Sequence, residues 1–194
     1  VKRYLTIPFD FICLTENSTN LLEQIKVINL NNKSIKGWWN KCLLFKPGVL
    51  SGNCLYLDLD MILLKNIDEF LIENQYLNIL CNPISFNGEM YYNINSSMLF
   101  WNADNEELHK IWFQYIENQT FYNNHYPSIN EVYGDQKAIL ESKIKYKFFP
   151  TSKIRYMKFL REEDTLDKNI SIIVCKGKRQ KDHKSDFFVK NYWK

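Results

Sequence analysis

The chain has 194 residues, 45% hydrophobic and 24% charged, with a net charge of +3. That is the size and composition of one globular domain with a full core, and no window approaches eighteen uninterrupted apolar residues, so no segment reads as a bilayer span. Five cysteines (Cys13, Cys42, Cys54, Cys81 and Cys175), odd in number, widely spaced and mostly in apolar runs, exclude a disulfide framework or zinc site and read as reduced core residues.

Strand-like and helix-like segments alternate from end to end, the pattern of an α/β domain with a largely parallel sheet. Val1 to Leu5 fits the last turn of a helix. Strands follow at Phe9 to Leu14 and Ile25 to Ile28. Gly37 then precedes a helix whose apolar residues Trp38, Cys42 and Phe45 recur at helical spacing until Pro47-Gly48 stops it. Next comes an apolar run, Leu55 to Leu64, interrupted by Asp58 and Asp60.

A buried unpaired carboxylate is costly, so two in one strand-like run call for a reason. At strand period two, Asp58 and Asp60 point to the same side, where both could face one metal-bound diphosphate. The alternative is that Asp58 begins a turn and Asp60 caps the next element.

A short helix near Asp68 to Ile72 and a strand at Leu77 to Cys81 continue the rhythm. Asn82 to Tyr92, with Pro83 and Gly88, reads as a loop, and Ser97 to Trp101 as a strand. Just before that strand, Asn95 and Ser96 offer an amide and a hydroxyl that can bind sugar hydroxyls; a simple turn into the strand explains them equally well. A helix over Asp104 to Glu117 puts Leu108, Ile111, Trp112 and Tyr115 on one face. The polar, aromatic stretch Asn118 to Asn130 reads as a loop, Tyr133 to Ser142 as a helix, and Ile144 to Phe149 as a strand. Within that last helix Gly134-Asp135-Gln136 has the look of ordinary helix capping.

After an acidic loop, Arg161 to Asn169, comes the strand Ile170 to Cys175, and Lys184 to Lys194 is compatible with a helix. From Lys176 onward seven Lys/Arg stand against Asp182 and Asp186, so this end carries +5 and the rest of the chain −2. Gly177 with Lys176, Lys178, Arg179 and Lys181 suits a pyrophosphate, although a solvated basic surface has the same composition. Of three histidines only His183 lies beside candidate ligand-binding residues. No Walker or dinucleotide loop and no Ser-His-Asp arrangement is present.

Taken in order, these segments resemble a glycosyltransferase of the GT-A type, close to the family 8 group of glycogenin and bacterial lipopolysaccharide galactosyltransferases. The pieces that carry the resemblance are Lys41 on the helix before the Asp-x-Asp; Asp58-Leu59-Asp60 itself; Asn95-Ser96-Ser97, with Ser where the family has Gly; Asp135-Gln136; and Gly177 to His183 in place of a Gly-x-x-Lys-Pro segment. The resemblance covers most of the chain from Phe9 onward. It departs at Val174 to Lys176, where the family has a metal-binding histidine, and at the start, where Val1 looks like the end of the family's first helix.

The resemblance implies one Rossmann-like GT-A domain over residues 1–194, with a mostly parallel central sheet flanked by helices and without its first strand. It implies a metal-dependent transfer, retaining in family 8, from a nucleotide sugar, such as a UDP-sugar, to a glycan, lipid-linked or protein acceptor. Asp58 and Asp60, with His183 as third ligand, would hold Mn²⁺ or Mg²⁺. Lys41, Asp58, Asn95, Ser96, Gly177, Lys178 and Lys181 would bind the donor, and Asp135 and Gln136 would act at the reacting sugar. The expected setting is cytoplasmic, with no nucleic-acid partner and with peripheral membrane contact through the basic end. The alternatives are a catalytically impaired nucleotide-sugar-binding module and a sugar-phosphate nucleotidyltransferase.

Overall fold

The computed structural model describes residues 1–30, 35, 37–72, 75–86, 89–124, 134–160 and 169–175. Three small sheets and a set of short helices build an α/β fold. A parallel pair, β1 (Ile12–Thr15) and β2 (Lys26–Asn29), forms the first sheet. The second has the order β3 (Asn53–Leu57), β6 (Glu89–Asn102), β5 (Leu77–Phe86), β7 (Tyr146–Phe148). In the third, β9 (Ile172–Val174) lies between β4 (Met61–Leu63) and β8 (Ile154–Tyr156).

The expectation of a mostly parallel sheet requires correction. β1–β2, β5–β7 and β8–β9 are parallel, whereas β3–β6, β5–β6 and β4–β9 are antiparallel, so the second and third sheets are mixed. The largest difference is local. The expected loop from Asn82 to Tyr92 is instead the arm of a β5–β6 hairpin, in which Asn82 pairs with Asn93 and Pro83 with Tyr92. Only Leu77–Ile79 of β5 also pairs with β7, so among the described strands the arm beyond Ile79 pairs with β6 alone. An edge of that kind leaves alternate N–H groups outside the ladder and so accommodates a proline.

Alternation along β6 separates two cores. Leu99 and Trp101 join a cluster with Trp39, Phe45, Tyr115 and Tyr122, while Met98 and Phe100 join Phe70, Phe149, Ile154 and Tyr156 on the other face. The first core is covered by a 3₁₀ helix over Gly37–Phe45, by α1 (Lys110–Glu117), α2 (Gln119–Asn124) and α3 (Asp135–Glu141). α2 lies in a stretch expected to be loop. β9 buries Ile172 and Val174 against the second core and Ile173 with Cys175 against a third. All five cysteines are free; Cys42, Cys81 and Cys175 are buried, whereas Cys13 and Cys54 are half-buried and not in the core as expected. Among the described residues no helix is long and apolar enough to cross a membrane.

Candidate functional site

The polar centre forms where the chain leaves the second sheet for the third. β3 ends at Leu57, β4 begins at Met61, and Asp58-Leu59-Asp60 is the link between them. The two carboxylates therefore sit in a turn, and strand alternation does not set their direction. Leu59 is 93% exposed, so the apolar side chain is the one turned out, while Asp58 and Asp60 are both half-buried. Backbone bonds fix the link at each end: Asp58 N–H donates to Ser97 O at 2.7 Å, and Asp60 O accepts from Cys175 N–H at 3.1 Å.

The 3₁₀ helix over 37–45 buries Trp39, Cys42, Leu43, Leu44 and Phe45 and brings Lys41 to the carboxylates. Lys41 Nζ lies 2.9 Å from Asp58 Oδ1, 3.4 Å from Ser96 O and 3.5 Å from Ser96 Oγ. It also stands 5.1 Å from the centre of the Tyr56 ring, a cation–π distance. Tyr56 donates its hydroxyl to the same Asp58 Oδ1 at 2.6 Å. Burial, then the neighbouring Asp58, pushes the Tyr56 phenol well above its ordinary value, so it remains a donor throughout the working pH range.

Asp135, from α3, closes the group. Gly134 precedes it at φ 56° and ψ −131°, and a Cβ there would come within 2.6 Å of Trp38 Cβ, so this approach requires glycine. The expected capping role is not what the side chain does: Gly134 occupies the cap position, with no side-chain cap bond, and Asp135 is the first helical residue. Asp135 is buried, and its Oδ2 has no hydrogen-bond partner among the described residues. Burial raises its pKa to about 6, opposed by Lys41 and a hydrogen bond from Ser96, and aided by the negative charge of Asp58. Gln136 follows, half-buried.

Asn95 takes a different direction from Ser96. It is fully buried, its Oδ1 accepts from Ser97 N–H at 2.9 Å, and its Nδ2 points to the hydroxyl of Tyr156 at 3.4 Å. Neither Tyr56 nor Tyr156 stood out in the sequence. Tyr56 had a signal, two positions before Asp58, but Tyr156 lies on a three-residue strand too short to register as one. Gly177, Lys178, Lys181 and His183 lie outside the described residues.

For a divalent cation the donors fit in kind: Asp58 and Asp60 supply hard oxygen ligands, and among the described residues the side-chain contacts of Asp58, to Lys41 and Tyr56, fall on Oδ1. In number they are few. Among the described residues no three His, Cys, Asp or Glu come together as a metal-binding group. Two carboxylates suit a cation whose remaining ligands are phosphate oxygens and water, rather than a closed protein cage.

The α/β fold with mixed sheets is similar to that of a solved GT-A glycosyltransferase. The solved structure of the galactosyltransferase LgtC, in complex with donor and acceptor sugar analogues, matches with a TM-score of 0.50 over 80% of this chain and 68% of that one, at 15% identity. At that identity the likeness is one of fold. No protein-family profile matches the chain, and no curated protein matches it in sequence.

Proposed function

We propose that the protein is a nucleotide-sugar-dependent glycosyltransferase and that the Lys41–Asp58–Asp135 cluster is its donor site. The observation that carries this reading is the buried Asp135 Oδ2, without a hydrogen-bond partner among the described residues, beside a lysine and a second carboxylate on a fold similar to that of a galactosyltransferase. A buried acceptor without a donor is rare and costly, and a sugar hydroxyl is the kind of group that satisfies it. Lys41 and Ser96 hold the Asp135 region polar, and Gln136 stands on the same helical turn.

Asp58 and Asp60 are the residues that would hold Mn²⁺ or Mg²⁺, whose contribution is to neutralise charge gathering on the departing nucleoside diphosphate. Lys41 adds fixed positive charge to the same region, and the Lys178 and Lys181 segment supplies more in this reading. Leaving-group stabilisation matters because glycosyl transfer passes through an oxocarbenium-like state. The acceptor in this reading is a glycan, lipid-linked or protein hydroxyl.

A second reading, a nucleotide-sugar-binding module without turnover, is favoured by the salt bridge itself: Lys41 Nζ, 2.9 Å from Asp58 Oδ1, balances the charge of that carboxylate. Titrating Mn²⁺ and a panel of nucleotide sugars against wild type and Asp60→Ala, following donor hydrolysis and thermal stability, separates the two. Metal-dependent hydrolysis lost in Asp60→Ala supports the enzyme; donor-induced stabilisation without hydrolysis supports the module. Identical, metal-independent behaviour of both proteins would sink the metal–diphosphate assignment.

A further inference from the structure

The pairing of β5 with β6 breaks at one place. Ile79 pairs with Leu99 and Leu80 with Asn95, so a single step along β5 faces Ser96, Ser97 and Met98 on β6. This bulge is what delivers the site's backbone and hydroxyl groups. Ser96 presents O and Oγ to Lys41, and Ser97 O accepts from Asp58 N–H. Bulges re-aim side chains in this way, but the extra residues leave the ladder and need other partners to hold one conformation.

The partners come from the opposite face. Leu80, paired with Asn95, belongs to the core on the side of Tyr156, whereas Lys41 and Asp135 belong to elements covering the other core. Asn95 therefore faces away from the lysine–carboxylate cluster, and its amide is already used: Oδ1 holds Ser97 N–H inside the bulge, and Nδ2 reaches the Tyr156 hydroxyl. That hydroxyl in turn donates to Cys81 O at 2.5 Å, on the strand opposite. The chain of contacts runs from β8 through the hydroxyl to both strands that flank the bulge.

We propose that Tyr156 is a positioning residue: through Asn95 and Cys81 it pins the β6 bulge that presents Ser96 and the Ser97 carbonyl to the Lys41–Asp58 site. Asn95 then acts on the bulge and does not touch the sugar. The functional half of this inference rests on the donor-site reading above; the structural half does not.

The test compares Tyr156→Phe with Ile154→Val, a neighbour on β8 in the same core that weakens packing without touching the hydroxyl. Amide hydrogen exchange of the whole chain is measured for Ser97 and Asp58, alongside steady-state donor hydrolysis. Losing the hydroxyl leaves Asn95 Nδ2 and Cys81 O without this partner, so exchange at both amides rises about tenfold in Tyr156→Phe and no more than the global loss of stability in Ile154→Val. Turnover falls by about the same factor, with KM within about twofold, because the defect is in alignment. Exchange at Ser97 that rises equally in the two variants overturns the proposal. If Tyr156→Phe fails to fold, Asn95→Ala removes the link from its other end, and an unchanged Asp58 amide there overturns it as well. A wild type with neither donor binding nor hydrolysis removes the donor-site reading while the exchange pattern still decides the role of Tyr156.

Discussion

The short helix over 37–45 has two environments within one turn. Trp39 and Cys42 enter an apolar core, where Trp39 stacks on Tyr122 at 4.6 Å and on Tyr115 at 5.6 Å between ring centroids. Lys41, between them in sequence, enters a cluster with Asp58, Ser96 and Asp135. The first environment stabilises the fold by burial. Each holds a buried polar atom with no hydrogen-bond partner among the described residues, the neutral Trp39 Nε1 in the first and Asp135 Oδ2 in the second, but the second costs more because its group is a carboxylate whose charge is penalised by burial. Groups kept at such cost mark a site for something that completes them.

The comparison breaks most visibly by emptying the apolar side. Trp39→Ala should cost about 3–5 kcal/mol in urea unfolding, the usual range for a buried Trp; a loss below about 1 kcal/mol would show that the aromatic stack does not hold the helix. Next is Lys41→Met, which leaves Asp58 and Asp135 without their cation. Because the pair is partly solvated, with 16% and 25% of the side chains exposed, the expected loss is about 2–3 kcal/mol, less than for a fully buried pair.

Asp135→Asn should act in the opposite direction. The folded-state pKa of Asp135 is raised to about 6, above the unfolded value, so the native protein takes up its proton first as pH falls. The sign follows: the charged carboxylate weakens the fold at neutral pH, the penalty fades as pH falls through about 6, and it is gone below about 4. The variant should therefore be about 1–3 kcal/mol more stable than wild type at pH 7, with the difference vanishing near pH 4 in unfolding measured across that range. The smallest effect is expected far from both environments. Lys26→Ala removes an ion pair to Asp10 whose side chains are more than 60% exposed, and the midpoint should move by less than about 0.5 kcal/mol equivalent.

The same contrast explains what was legible in the sequence. The apolar run stopped by Pro47-Gly48 located the helix that carries Lys41, although it is a 3₁₀ helix whose buried tryptophan is Trp39 and not the expected Trp38, which is exposed, and the Asp-x-Asp interruption of an apolar run marked the polar link. Both signals arise from local pattern. What the pattern could not show is contact across elements: that the Asp-x-Asp lies in a turn between two sheets, that Asp135 is drawn into the cluster instead of capping its helix, and that Asn95 turns its back on Ser96. That last point follows from strand alternation around a bulge, and a bulge is a property of two paired strands. Pro83 misled for a related reason, since its tolerance depends on which neighbours β5 has.

If the lysine–carboxylate cluster is a nucleotide-sugar site, donor affinity measured by calorimetry with Mn²⁺ present, in wild type, Asp58→Asn and Asp135→Asn, reports on it directly. Both variants should bind at least about tenfold more weakly than wild type, as expected when a charge-assisted contact is lost, while remaining folded. Equal affinity in all three folded proteins would contradict it.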